Sequence, residues 1–427
     1  MSTGTSHKPS PFAAFILHLH PKKVPVDTIR FSLSFGLGGM AATLFMILVF
    51  TGILQVFSYS TAIESAHQSI IAMYRAGSPA GFIRNIHYWA GNLLVIISLL
   101  HLLRVYLTGA TDRKRRLYWL IGICLFLLVL FANFTGYLLP WDQLAYWAVT
   151  IFTNMIGYVP LIGTWLSEAL RGGSEVGPTT LSNFFAIHVG LIPSLIIILL
   201  IFHFWFIRKS GGLIRDNNAS ADRVPSVPTL ISREAAVGLG LTALLFMFAA
   251  VVDAPLAEIA NPGQSPNPAK AAWYFLGLQE LLLHFHPTFA ICIIPLLMLS
   301  MLALLPFING SNLSPGIWCG GKNGWLLAAA AYGLGFFCSF PLIVLDDKLL
   351  KTVDEATHAA PWFGRGLLPL MVIISTFGLI YWILRRRGFN RPKSVMALLM
   401  LNIGMLCGLT AIGIWFRGEG MALIVPF

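Results

Sequence analysis

The stretch RNIHYWAGNLLVIISLLHLLR, residues 84–104, decides how this chain is read. Its middle is apolar, and it carries two histidines, His87 and His101, fourteen residues apart. At a helical rise of about 1.5 Å per residue, that interval sets the imidazoles about 21 Å apart along one helix. A second apolar stretch, HVGLIPSLIIILLIFH at 188–203, repeats the arrangement with His188 and His203 fifteen residues apart. Two such helices side by side clamp a planar cofactor near each end, and a haem iron takes axial nitrogens from opposite sides. A lone histidine on an apolar helix is ordinarily a packing residue. Four at a repeated interval, in segments where an ionisable group is costly, point to ligation.

The surrounding chain is a membrane protein. Mean hydropathy is +0.77 and only 11% of the 427 residues are charged. Apolar runs of spanning length recur at about 31–57, 84–107, 117–138, 182–208, 235–255, 288–308, 324–345, 366–385 and 395–416. The expected fold class is all-α: a di-haem four-helix bundle followed by about five further transmembrane helices. Residues 1–210 would form the di-haem domain, 211–390 a second domain, and 391–427 an additional C-terminal helix. The polar stretch KSGGLIRDNNASADRVPSVP at 209–228 links the halves. No cleavable signal peptide is expected, since Pro, His and Lys interrupt the first thirty residues.

With a cytoplasmic N-terminus, the segments on that side hold twenty of the twenty-eight Lys and Arg residues, as the positive-inside rule requires of nine spans. The net charge of +11 therefore reflects topology and anionic lipid, and nucleic-acid binding is excluded. Five scattered cysteines form no CxxC or CxxCH, which argues against zinc, an iron–sulfur cluster or thioether-attached haem in this chain.

Glycines echo the histidine interval. Gly38 and Gly52 in the first span are fourteen apart, as are Gly122 and Gly136 in the third, and a residue without Cβ lets a cofactor plane approach the helix. Arg84 lies three residues before His87 and Arg104 three after His101, where each shares its histidine's face and suits an anionic propionate. Pro193, five residues past His188, is expected to kink the fourth helix.

Taken together, Arg84-Asn-Ile-His87, His101-Leu-Leu-Arg104, GYLLPW at 136–141, TLSNFFAIHVGLIP at 180–193 and the paired glycines resemble cytochrome b of quinol:cytochrome c oxidoreductases. The resemblance spans roughly residues 15–385, its second half through NPAKAAWYFLGLQELL at 267–282. The fifteen-residue interval is that of the b/f-type branch, in which the second half is a separate subunit; here the two are fused. That branch has a cysteine before the first helix's glycines that tethers an extra haem. This chain has Gly36, so two noncovalent b-type haems are implied, one on His87 and His188 (low potential) and one on His101 and His203 (high potential). The family's Arg five residues before the third ligand is Asn183 here.

The resemblance further implies a bacterial inner-membrane enzyme that oxidises quinol on the periplasmic side, in a pocket framed by Tyr137, Trp273 and Tyr274, and reduces quinone near the cytoplasmic face beside Arg208, Arg233 and Glu234. Proton translocation accompanies the cycle, and the implied partners are a Rieske iron–sulfur protein, a c-type cytochrome, membrane lipid and a second copy of the chain. Most relatives read Pro-Glu-Trp-Tyr at the oxidation loop, where this chain reads Ala271-Ala272-Trp273-Tyr274. Glu280, seven residues past Trp273, is the candidate replacement acid, and the missing glutamate makes menaquinol the expected substrate. Two rivals are a di-haem anchor of another respiratory oxidoreductase, which leaves GYLLPW and five spans unexplained, and a secondary transporter, which should show inverted repeats.

Overall fold

The structure, a computed structural model, describes residues 22–75, 77–111, 115–210, 212–216, 222–308, 313–347 and 361–424. Nine helices among them are long and apolar enough to cross a membrane. They are Leu37–Val56, Ala80–Leu107, Arg116–Tyr137, Pro178–Lys209, Ser226–Val251, Phe289–Phe307, Lys322–Leu345, Phe363–Arg386 and Arg391–Trp415. The nine expected spans are all present, and the protein is an all-α, multi-pass membrane protein. The first span starts later than its apolar run, because Phe35 (φ 49°) and Gly36 (φ 65°) adopt left-handed backbone and separate the turn Phe31–Ser34 from the helix proper.

Helices one to four close a ring. The first packs on the second, the second on the third and the third on the fourth, while Phe45 of the first meets Ile192 and Ile196 of the fourth. The fifth lies against the first and second, and Trp119 of the third donates its indole N–H to Leu302 O of the sixth at 2.9 Å. The ninth helix packs against the seventh, the eighth and a short helix, Leu276–His284. It is not peripheral: half of its apolar window is buried, as for the second helix, against at most 28% in the others. Gly335 and Gly404 make that contact close, since a Cβ on either would strike the backbone of the facing helix.

The fourth helix meets Pro193 with a wide π-type turn over Ile187–Leu191, in which Ile192 N–H bonds Ile187 O, five residues back. Similar turns precede Pro295 and Pro369. Each accommodates a ring that cannot donate and would clash with the preceding turn. Successive spans alternate in direction, so one membrane face gathers the ends of odd-numbered helices and the starts of even-numbered ones. That loop-rich face carries Gln143–Ile156, Gly163–Arg171 and Leu276–His284. On the other face, strand β1 (Lys23–Pro25) pairs antiparallel with β2 (Arg223–Pro225), with Lys23 opposite Pro225, and so ties the N-terminal segment to the linker between the halves.

Candidate functional site

The second and fourth helices face each other across two gaps. The ring centres of His87 and His188 are 6.2 Å apart, with planes at 74°, and those of His101 and His203 are 6.5 Å apart at 73°. Two imidazole–metal bonds of about 2.0–2.1 Å, plus about 1.1 Å from each nitrogen to its ring centre, come to about 6.3 Å. Both gaps therefore match a metal held between two imidazoles.

All four repeated glycines lie beside these rings. A Cβ on Gly52 would come within 3.2 Å of His87 Cε1, and one on Gly136 within 2.6 Å of His188 Cε1. At the other level, Gly38 is matched to His101 at 3.0 Å and Gly122 to His203 at 3.8 Å. The third helix thus supplies the glycines beside the fourth helix's ligands, and the first those beside the second's. This cradle, which a larger residue would fill, fits a haem at each level.

The histidine tautomers at the loop-rich level follow from hydrogen bonding. Thr51 donates its hydroxyl to Ile47 O at 2.7 Å, so its oxygen accepts from His87 Nδ1–H at 2.9 Å. Thr135 donates to Phe131 O at 2.9 Å and accepts from His188 Nδ1–H at 3.2 Å, with Ala132 O also 3.0 Å from that nitrogen. The Nδ1 proton leaves Nε2 as the coordinating nitrogen. Neither threonine was singled out from the sequence, although each immediately precedes one of the paired glycines. At the other level Leu37 and Ile121 take those positions, and the Nδ1 atoms of His101 and His203 have no hydrogen-bond partner among the described residues.

The two arginines differ. Arg104 is buried; its Nε donates to Leu33 O at 3.0 Å and its Nη2 has no hydrogen-bond partner among the described residues, which suits a guanidinium that binds a propionate. Arg84 spends its bonds on protein: Tyr74 Oη (2.6 Å), Ala254 O (2.8 Å) and Pro255 O (2.8 Å). It belongs to a row on the second helix that grips the other half of the chain. Asn85 Nδ2 donates to Asp253 Oδ1 (2.7 Å), Trp89 Nε1 to Val252 O (2.9 Å), and Asn92 Oδ1 accepts from Trp273 Nε1 (2.6 Å). Asn183, at the position of the relatives' arginine, donates to Leu170 O at 3.5 Å.

Of the residues expected to frame a quinol pocket, the structure brings together Tyr137 and Tyr274, with Tyr88 beside them. Burial, and then the neighbouring Tyr137 and Tyr88 phenols, push the Tyr274 hydroxyl well above its ordinary pKa. Trp273, its ring centre 5.5 Å from that of Tyr274, packs with it in the apolar cluster of the first, second, third and fifth helices. Tyr88 and Asn92 were not anticipated, although both follow His87 within five residues.

Glu280 has a different setting. It is fully buried, and its carboxylate pairs with Arg417, just past the ninth helix, with Arg417 Nε at 3.0 and 3.2 Å from its two oxygens. His284 Nε2 is 3.3 Å away, and His284 Nδ1 bonds Asp346. None of its described hydrogen bonds goes to Trp273 or Tyr274. Burial alone would raise the Glu280 pKa, but hydrogen bonds from His284 and Arg417 and their charges outweigh it and hold the carboxyl below its ordinary value. His284 moves the opposite way: burial opposes charging, yet Asp346 and Glu280 raise its pKa. Ligand atoms of His284, Asp346 and Asp347 lie within 4.8 Å of one another, and the Arg417 guanidinium bonds Asp347 at 3.1 Å within that group.

At the opposite face, Arg208, Arg233 and Glu234 are exposed. Arg233 donates to Ile29 O at 2.6 Å, which fixes the segment following β1.

Residues 23–211 match the family model described as cytochrome b/b6/petB. The chain is 38% identical over 175 residues to cytochrome b6 of Desmonostoc sp. and to that of Mastigocladus laminosus, covering 41% of this chain and 81% of each relative. In fold it is similar to a chain of a structure titled "Hyperthermophilic respiratory Complex III", with a TM-score of 0.66 at 21% identity, over 95% of this chain and 96% of that one. That likeness extends the shared fold through both halves. The apolar helices, the two imidazole gaps with their glycines and the sequence match agree, and the chain belongs to the cytochrome b/b6 family.

Proposed function

We propose that the chain is the di-haem cytochrome b of a bacterial Rieske/cytochrome b complex in the cytoplasmic membrane, with its N-terminus cytoplasmic. In this reading it oxidises quinol, menaquinol by class, at the periplasmic face. Electrons cross the membrane to a quinone-reduction site, with coupled proton translocation. The partners are a Rieske iron–sulfur protein, a c-type cytochrome, lipid and a second copy of the chain.

The observation that carries this reading is the pair of imidazole gaps, 6.2 and 6.5 Å wide, each flanked by two glycines. His87 and His188 would hold one haem and His101 and His203 the other, with the Arg104 guanidinium directed to a propionate. Bound there, the haems supply reversible one-electron transfer between the two membrane faces. The remaining chemistry is the chain's own. Trp273, fixed by Asn92, together with Tyr137, Tyr274 and Tyr88, forms an aromatic wall that binds quinol and excludes water close to the His87/His188 level. Ala272 offers no base, so the quinol protons need another acceptor, a role we assign to Glu280. Arg208, Arg233 and Glu234 supply charge where quinone is reduced.

A reduced-minus-oxidised spectrum of the purified chain tests the cofactor content, and quinol-driven reduction of a c-type cytochrome by the assembled complex tests the activity. Two spectrally distinct b haems, both reduced by quinol, are expected. A haem-free chain, or haems that quinol does not reduce, would overturn the reading.

A further inference from the structure

The ninth helix and the ion cluster at its end are not used by the family comparison, whose sequence match ends near residue 211. The cluster lies on the loop-rich face, since Leu276–His284 precedes the sixth span, Asp346 and Asp347 follow the seventh and Arg417 follows the ninth. This is also the face of Tyr137, Trp273 and the His87/His188 gap.

Within it, three titratable groups form a hydrogen-bonded line. Glu280 Oε1 is 3.3 Å from His284 Nε2, and the Nδ1 of the same ring bonds Asp346 Oδ2. Side-chain exposure increases along the line, from 0% at Glu280 to 4% at His284 and 24% at Asp346, so it leads from a sealed interior to water. Arg417 holds the buried end: Nη1 donates to Asp347 Oδ2 (3.1 Å) and Met421 O (2.9 Å), Nε and Nη2 bind Glu280, and Nη2 lies 3.0 Å from His284 Nε2. The ninth helix also fixes the approach to Glu280, since Lys270 Nζ donates to Ile414 O at 2.9 Å and Gly277 and Leu276 pack on Thr410 and Gly413.

We propose, building on the quinol-oxidising reading above, that Glu280, His284 and Asp346 form a proton-transfer relay from the quinol segment to water, and that Arg417 is its positioning residue. One quinol oxidised to quinone yields two electrons, taken by one-electron acceptors of the complex, and two protons. For a proton that takes this route, a quinol O–H bond breaks as a Glu280 O–H bond forms, directly or across one water. In the imidazolium form that its acidic neighbours favour, His284 Nδ1–H breaks as an Asp346 O–H forms, and Asp346 releases that proton to water. Rotation of the now neutral ring presents a bare nitrogen to Glu280, and the Glu280 O–H breaks as the new N–H restores the imidazolium. Three carboxylates face one guanidinium, so the imidazole accepts the proton readily. The charged groups around His284 are Glu280 on its own helix, Arg417 after the ninth, and Asp346 and Asp347 after the seventh. Lys270 before that helix is bonded to the ninth, and Arg365 of the eighth accepts from His286 N–H through its carbonyl.

The experiment uses the assembled complex with Asp346→Asn and His284→Gln. The partly open position of Asp346 makes its substitution the milder one for folding. Both should slow quinol-driven haem reduction at least about 10-fold at neutral pH and enlarge its solvent isotope effect, with haem content unchanged. The Asp346→Asn rate should recover with added imidazole buffer. Arg417→Gln should displace the pH profile, and Arg417→Lys should restore most of it. Infrared pH titration of the oxidised complex without quinol should show a carboxylate transition that His284→Gln abolishes. Wild-type rate, isotope effect and pH profile in both Asp346→Asn and His284→Gln would overturn the relay. If the wild-type complex shows no quinol-dependent reduction, the proposed function fails instead, and the infrared titration alone decides whether the groups share a proton.

Discussion

Trp273 Nε1 donates to Asn92 Oδ1 at 2.6 Å, and Asn92 lies five residues beyond His87 on the same helix. The segment assigned to quinol oxidation is therefore pinned to the helix that carries two imidazoles of the haem cradle. Asn92→Leu leaves an indole N–H without its partner at a cost of about 1–2 kcal/mol. Quinol-driven haem reduction should fall about 5- to 30-fold, while both haem spectra stay unchanged. Stopped-flow reduction kinetics check this, and unaltered kinetics would show that the bond does not position the segment.

The proposed assignment gives each haem its own pair of ligands. His87→Ala or His188→Ala should remove one haem, and His101→Ala or His203→Ala the other, halving the haem-to-protein ratio in each case. Acid–acetone should extract all haem from the wild-type chain, because Gly36 stands where a tethering cysteine would. Haem retained on a denaturing gel would contradict a noncovalent site.

The glycines should rank by the room each leaves. A Cβ comes within 2.6 Å of the ring at Gly136 but only 3.8 Å at Gly122. Gly136→Ala should therefore displace His188 and lower occupancy of its haem, whereas Gly122→Ala should be tolerated at the His203 level. Redox titration of both variants decides the order, and equal effects would refute the close-approach argument.

Thr51 and Arg104 should tune different haems. Thr51→Val removes the acceptor of His87 Nδ1–H and should shift only the haem held by His87 and His188. Arg104→Leu removes a cation from the other level and should lower the potential of the haem held by His101 and His203 by tens of mV, on the order of a tenfold change per ~59 mV. A shift at the wrong level in either variant would break the assignment.

The cluster around His284 should stabilise the fold over a limited pH window. The folded-state pKa of Glu280 lies below its ordinary value, so its contribution is present at neutral pH and is lost as pH falls through that lowered value. That of His284 lies above its ordinary 6.5, so its contribution is complete below 6.5 and is lost as pH rises through the raised value. As pH rises from 6.5 through that raised value, the thermal stability of the solubilised protein should fall more in the wild type than in His284→Gln. Parallel pH curves would show that His284 is not charged in the folded state.

Much of this architecture was legible in the chain. Apolar length set nine spans, because a bilayer core fixes how many residues a helix needs. The fourteen- and fifteen-residue intervals set two levels of paired imidazoles, because helical rise is constant. The Thr-Gly pairs at 51–52 and 135–136 were equally visible, but only folding shows that each threonine faces an imidazole on another helix. Sequence separation hid the rest. Trp273 is 181 residues from Asn92, and Glu280 is 137 residues from Arg417, and no local period relates them. Spacing from Trp273 suggested that Glu280 shares the aromatic wall's face. The packing of the ninth helix instead gave that carboxylate a cation and a histidine, because a charge in a sealed interior must find partners and only tertiary structure decides which are within reach.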